Sequence, residues 1–154
     1  MRILKPLLVL LATTLSLMTA GIATPLGGRA DDEITVLKIE FTEKQGDSRF
    51  YELKGSRTLD AESAGLVRQA FSTPGVKPPA LLDVIVDYFA VRIGDELFYV
   101  VEMQERGFQI TRARMSGDAL ERVEGPSRVI GKHPKLKELL QDALDGIEDS
   151  TDEE

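Results

Sequence analysis

The chain has 154 residues, no cysteine and a formal net charge of −7. Its acidity opposes binding to nucleic acid or to anionic lipid head groups, and the lack of cysteine excludes disulfides, thiol catalysis and cysteine-based zinc or iron–sulfur sites. Residues 1–30 contain three basic residues and no acid, so the remainder has 26 acidic and 16 basic residues. Its length suits one domain with a single core.

The first residues have the pattern of an export signal. A basic head of Arg2 and Lys5 precedes a mostly apolar stretch, and small side chains follow up to Ala23. The pattern predicts a Sec-type signal peptide over residues 1–23, with cleavage after Ala23 or as late as Ala30. We therefore expect the mature protein to be secreted or periplasmic.

An uncleaved membrane anchor is the competing interpretation, because the segment has close to the roughly 20 residues that a bilayer crossing requires. Pro6 and several hydroxyl residues dilute its apolar character, and no basic cluster follows it. There is no cysteine to carry a lipid anchor. We expect no stable membrane association after signal cleavage.

Six stretches with strand character lie between short turns. Residues 34–43 and 49–53 flank the dipeptide Gly46-Asp47 and predict a hairpin, because glycine adopts positive φ without steric cost. The other four are residues 84–93, 97–104, 108–115 and 119–123. Turns that contain glycine separate these as well, which predicts a meander of three or four strands.

Residues 84–93 have two interpretations. Their dense β-branched side chains favour a strand, whereas a helix from Pro79 would place apolar residues on one side. In the next predicted strand, alternate apolar residues are expected to form the core face. They are Leu97, Tyr99, Val101 and Met103.

Two helices complete the predicted fold. Asp60 can cap a helix over Ala61–Phe71, and Pro134 can begin a second helix whose leucines recur at helical spacing up to Ile147. The result is an α+β fold: an antiparallel sheet, made of a hairpin and a meander, with two helices packed on one face. We place this single domain at residues 31–147 and a disordered acidic tail at residues 148–154.

Basic residues surround the start of the second helix and acidic residues crowd its end, so both ends oppose the helix dipole. Free backbone amides together with Lys132, His133 and Lys135 make this start a candidate site for a carboxylate or phosphate. A solvated basic patch is the alternative. His133 is the only histidine, and its neighbours include neither a nucleophile nor an orienting carboxylate, which favours a helix-entry role.

Asp83, Asp87 and Glu102 are the carboxylates from which a small hydrolase would be built. Asp83 and Asp87 are four residues apart and would face alike on a strand or a helix. The structural alternative is that Asp83 lies at a strand edge and Asp87 meets Arg92 or Arg112 across the sheet.

No cofactor-binding or metal-binding motif is present, and the sequence assigns no catalytic residue. It favours a non-catalytic module that binds a protein or peptide partner, for example as an inhibitor of an extracytoplasmic enzyme; a carboxylate-dependent hydrolase and a small-anion-binding protein are the alternatives. Binding would use a sheet edge or the connection over residues 72–79, which prolines stiffen so that less entropy is lost. The candidate residues of that connection are Pro74, Lys77, Pro78 and Pro79.

Overall fold

The part of the chain that the computed structural model describes consists of residues 29–45, 48–78, 83–123 and 125–147. The predicted signal peptide over residues 1–23 and the predicted acidic tail over residues 148–154 lie outside it. In chain order, the elements are β1 (Ile34–Gln45), β2 (Ser48–Thr58), α1 (Ala61–Phe71), β3 (Ile85–Ile93), β4 (Glu96–Met103), β5 (Gly107–Ser116), β6 (Ala119–Arg122), β7 (Arg128–Gly131) and α2 (Pro134–Asp145).

All of the pairings between the described strands are antiparallel, which confirms the α+β fold with an antiparallel sheet. β1 and β2 form the predicted hairpin, and β3 to β6 form a four-stranded meander. The order across the sheet is β4-β3-β1-β2-β6-β5-β7, and β4 also pairs with β5. Six strands therefore close into a ring, and β7 adds to the first half of β5.

The strand side chains divide between two hydrophobic clusters, as expected for a closed sheet with an inside and an outside. One cluster, which we call the ring cluster and assign to the interior, contains no helix residue; its buried members are Leu37, Ile39, Tyr51, Ala90, Leu97, Tyr99, Val101, Met103, Leu120 and Val129. The other cluster combines the alternate strand residues with buried residues of α1 and α2. That both helices pack on one face of the sheet remains a prediction.

Three tyrosines meet in or beside the ring cluster. The hydroxyl oxygens of Tyr51 and Tyr99 are 2.8 Å apart and share a buried hydrogen bond, and the ring of Tyr88 lies 5.6 Å from that of Tyr51. The guanidinium carbon of Arg122 is 5.3 Å from the centre of the Tyr99 ring. The hydroxyl groups of Tyr51 and Tyr99 thus find partners inside an otherwise apolar cluster.

Both predicted helices form, and their termini have the expected residues. The Asp60 carboxylate accepts the Ser63 N–H at 2.8 Å as the N-cap of α1. α2 begins at Pro134, with Lys135 and Lys137 at its start and Asp142 and Asp145 at its end, so these charges oppose the dipole. Its apolar face is buried through Leu136, Leu140, Ala143 and Leu144.

Glycines form the turns of the meander. Gly94 and Gly117 have φ of 57° and 64° in the turns after β3 and β5, as predicted for turns that contain glycine. Gly107 has φ of 85°, and a Cβ there would also overlap the backbone of Gly131, so the position admits glycine alone. The dipeptide Gly46-Asp47 lies outside the described residues.

The sheet differs from the prediction in three respects. β7 was not predicted, because its four residues are too few to show a period of two. β2 continues to Thr58 rather than ending at residue 53. Both faces of β4 are buried, not only the predicted one, because Phe98 and Val100 belong to the cluster that contains the helices. Of the two interpretations of residues 84–93, the strand is correct.

Candidate functional site

β1 and β3 separate partway along their length. Their pairing ends at Leu37 and Ala90, whereas β3 continues to pair with β4 as far as Ile85. Among the described residues, the β3 backbone before Ala90 therefore has a paired strand on one side only. We call residues 84–89 the open edge.

The open edge begins with three exposed aliphatic side chains. Val84, Ile85 and Val86 are 62%, 54% and 52% exposed. Val86 falls at a register shift between Ile85 and Asp87, so it has no Cα partner on β4. An unpaired edge with exposed apolar residues is a template for the addition of another strand.

A second unpaired stretch, on β2, is protected by charge. Among the residues that the structure describes, β2 pairs with β6 only over residues 50–52. Beyond them, Lys54 pairs with Glu52 at 3.0 Å, and Arg57 donates to the backbone oxygen of Asp142 at 3.1 Å. Basic side chains on an edge discourage strand addition. The sequence of the open edge contains no basic residue.

A pocket of about 410 Å³ lies where β1 and β3 separate, next to α2. We call it the edge pocket; it is lined by Lys38, Ile39, Asp87, Tyr88, Gln141, Leu144 and Asp145. Its walls contain two carboxylates and one ammonium group. The Asp145 carboxylate accepts the side-chain amide of Gln141 at 2.9 Å, and Leu144 supplies a buried apolar wall.

Asp87 is the perturbed acid of this pocket. Burial raises the pKa of its carboxyl, and the charges of Glu102 and Asp145 raise it further, while the hydrogen bond from the Tyr88 N–H opposes the rise. That bond is 2.7 Å long. The half-buried acid therefore lies in negative surroundings that favour either a proton or a cation.

Asp83 has a different role from the one a carboxylate pair would require. Its side chain is 4% exposed and accepts the backbone N–H groups of Val84, Glu105 and Arg106. It thereby fastens the turn between β4 and β5 to the start of β3. The carboxylate that lies opposite Asp87 is Glu102, not Asp83.

Glu102 is buried and forms an ion pair with α2, because its Oε1 lies 2.5 Å from the Nζ of Lys137. Of the two arginines predicted to meet Asp87 across the sheet, Arg112 instead pairs with Glu96 at 2.8 Å. The three carboxylates proposed for a hydrolase thus have three different environments. Asp87 alone of them lines the edge pocket.

Two of the three residues of the predicted anion site line the same pocket. Lys132 and His133 line a second pocket, of about 230 Å³, with Glu102 and Lys137 also in its walls. Lys135 is exposed and is not among the lining residues. The ring Nε2 of His133 lies 3.1 Å from the Ile130 carbonyl oxygen, to which it donates when it carries the proton. The carboxylate in this pocket opposes an anion, and anion binding remains a prediction.

The predicted binding connection is tethered to β7. Val76 exchanges two backbone hydrogen bonds with Val129, of 2.9 and 2.8 Å. Arg128 donates to the Phe71 and Thr73 carbonyl oxygens. Of the candidates, Pro74 and Lys77 are exposed and Pro78 is half-buried, whereas Pro79 lies outside the described residues.

Within the described ranges, no group of three or more histidine, aspartate or glutamate residues is arranged to hold a metal ion. The same residues include no helix that is both long and apolar enough to cross a bilayer. Comparison of the chain with protein-family models, with curated proteins and with solved structures found no match.

Sequence reasoning missed most of the edge pocket. Lys38, Gln141 and Asp145 come from distant parts of the chain, and no spacing connects them. Gln141 and Asp145 are four residues apart, a spacing that places them on one helix face but does not connect them to β1 or β3. The exposure of residues 84–86 could not be predicted from the sequence either, because an apolar run is typical of a buried strand.

Proposed function

We propose that the protein is an exported, non-catalytic binding module that holds an extended segment of a protein partner by adding it as a strand to the open edge. The observation that supports this function most directly is the loss of the β1 partner along β3 where three aliphatic side chains are exposed. Main-chain hydrogen bonds would give affinity, and alternate side chains would give specificity. Inhibition of an extracytoplasmic enzyme is one role that such binding could have.

Export also belongs to the proposal, and one contact supports a signal that ends at Ala23. The backbone oxygen of Arg29 accepts hydrogen bonds from the side chain of Arg68 at 3.2 Å and from the Asp32 N–H at 3.1 Å. A cut after Ala23 retains these bonds, whereas a cut after Ala30 removes them. Sequencing of the N-terminus of the exported protein distinguishes the two: it begins at Thr24 in the first case and at Asp31 in the second.

The binding site is tested by selecting random displayed peptides on the purified protein and comparing two variants. Val86→Lys places a charge on the open edge, and Val76→Lys places the same charge on an exposed valine of the connection after α1. We expect selected peptides to lose about tenfold or more in affinity for the Val86→Lys variant, as charge on an edge opposes strand addition. The Val76→Lys variant should bind like the original protein.

Three results would contradict this assignment. Loss of binding with Val76→Lys alone would transfer the site to the connection over residues 72–78. Equal binding by both variants would exclude the open edge. If the selection enriches no peptide at all, the proposed strand addition is contradicted.

A carboxylate-dependent hydrolase at the edge pocket is the second candidate, because Asp87 combines a raised pKa with a place in a pocket. Asp87→Asn removes the proton-transfer group and retains an oxygen acceptor for the Tyr88 N–H. If the protein hydrolyses an ester, peptide or glycoside probe and Asp87→Asn lowers the rate by about 100-fold or more, the hydrolase is supported. Hydrolysis that Asp87→Asn leaves unchanged would exclude it.

A further inference from the structure

We infer that the bound segment contains a lysine or arginine whose side chain enters the edge pocket between β1, β3 and α2. This inference rests on the proposed strand addition and assigns its specificity. The open edge and the pocket are continuous, since Asp87 and Tyr88 belong to both. A peptide strand laid along residues 84–89 would therefore place a side chain at the mouth of the pocket.

Charge selects the occupant. Asp87 and Asp145 supply two carboxylates to the pocket walls, against the one ammonium group of Lys38. Glu102, opposite Asp87 on β4, adds to the negative surroundings, although Lys137 pairs with it. A guanidinium or ammonium group would be attracted here, and an acidic side chain would be repelled.

The apolar walls suit the same occupant. Ile39 and Leu144 line the pocket and are 6% and 8% exposed. Lysine and arginine bury their aliphatic stems against such surfaces while their charged ends reach polar groups. The raised pKa of Asp87 gives separate support, because a cation beside this carboxyl would relieve the repulsion that contributes to the rise.

The test uses four displayed libraries of nine-residue peptides that are random except at the central position, which is fixed as lysine, arginine, leucine or glutamate. We expect the lysine and arginine libraries to give binders and the glutamate library to give none. A double variant, Asp87→Asn with Asp145→Asn, should weaken these binders about tenfold or more, because charge-assisted hydrogen bonds are lost. Both substitutions retain an oxygen acceptor, so the hydrogen bonds that the Tyr88 N–H and the Gln141 side-chain amide donate can still form.

Asp142→Asn with Asp118→Asn is the matched control. It also removes two negative charges, one from α2 and one from the turn after β5, at exposed positions that do not line the pocket. The control should bind the basic peptides within about twofold of the original protein, since a charge outside the site is largely screened. A loss as large as that of the double variant would show general attraction to an acidic surface and would overturn the assignment of the pocket.

The edge variant Val86→Pro separates this inference from the proposed function. It adds no charge and removes a backbone N–H at a position without a Cα partner on β4. Peptides that lose affinity for Val86→Pro but show no preference for a basic centre would overturn the pocket and leave strand addition intact. If no library yields a peptide that depends on Val86, both proposals fail.

Discussion

Asp87 on β3 and Glu102 on β4 occupy directly opposed positions in an antiparallel strand pair. Like charges placed opposite each other destabilise a sheet. Glu102 gains a partner in Lys137, whereas Asp87 accepts the Tyr88 N–H and lines the edge pocket. Local stability therefore does not explain the presence of Asp87, which accords with a binding role.

The first prediction concerns this acid and pH. Burial, then Glu102 and Asp145, raise the pKa of Asp87 above its ordinary value of 3.8. Ionisation of Asp87 therefore lowers the free energy of unfolding. This destabilisation is complete above the raised pKa and is absent well below 3.8, where the carboxyl is protonated in both the folded and the unfolded protein. We expect Asp87→Asn to raise Tm at about pH 7.5 and to leave it unchanged at about pH 2.5.

Thermal unfolding across this pH range, followed by circular dichroism, measures the difference in Tm between Asp87→Asn and the original protein. Asp118→Asn is a suitable control, because this exposed aspartate lies in the turn after β5, far along the chain from the edge pocket. A Tm difference for Asp87→Asn that is constant with pH would contradict the prediction, since protonation would then have no part in it.

The second prediction concerns the buried hydroxyl pair. Tyr51→Phe or Tyr99→Phe removes one end of the 2.8 Å hydrogen bond, and each should lower the free energy of unfolding by about 1–2 kcal/mol. The double variant should lose less than the sum, with a coupling energy of about 1 kcal/mol, because the second substitution finds the bond already lost. Urea unfolding of the four proteins measures the cycle, and strict additivity would refute the coupling.

The third prediction concerns the tether of the connection after α1. Arg128→Ala removes the donors to the Phe71 and Thr73 carbonyl oxygens and should lower the free energy of unfolding by about 2 kcal/mol. Lysine at this position should recover only part of the loss, since one ammonium group cannot reproduce the planar fork of donors. Limited proteolysis should cut the Arg128→Ala variant faster between Phe71 and Pro78. An unchanged rate of cleavage would mean that Val76 alone holds the connection.

The fourth prediction is an asymmetry across an ion pair. Lys137→Met leaves the carboxylate of Glu102, whose side chain is 11% exposed, without its cation. We expect a loss of about 2 kcal/mol in the free energy of unfolding, between the values for exposed and for buried pairs. Glu102→Gln should cost less, because it also removes the charge opposite Asp87. Chemical unfolding of both variants tests the order, and a larger loss for Glu102→Gln would contradict it.

Local signals in the sequence predicted most of the elements correctly. Asp60 marked the start of α1, Pro134 the start of α2, and glycines the turns of the meander. These signals succeed because caps and turns depend on the conformational preferences of one or two residues. The closure of the ring could not be predicted, since it depends on pairing between β2 and β6, which are remote in the chain.

The candidate site was predicted only in outline. A sheet edge was one of two surfaces expected to bind, but no pattern showed which strand has the edge. Asp87 was selected as a candidate carboxylate, with Asp83 as its neighbour, because spacing along one strand was the available information. Its actual neighbours, Glu102 and Asp145, come from the next strand and from α2.

Ring closure through β2 and β6 has a consequence for folding kinetics. The hairpin and the meander each form from strands that are close in sequence, whereas the short β2–β6 pairing must wait until the hairpin and the meander have been brought together. The entropy of closing that long loop places the pairing late in folding. Leu120→Ala, at a β6 residue that pairs with Tyr51, should therefore accelerate unfolding much more than it slows refolding.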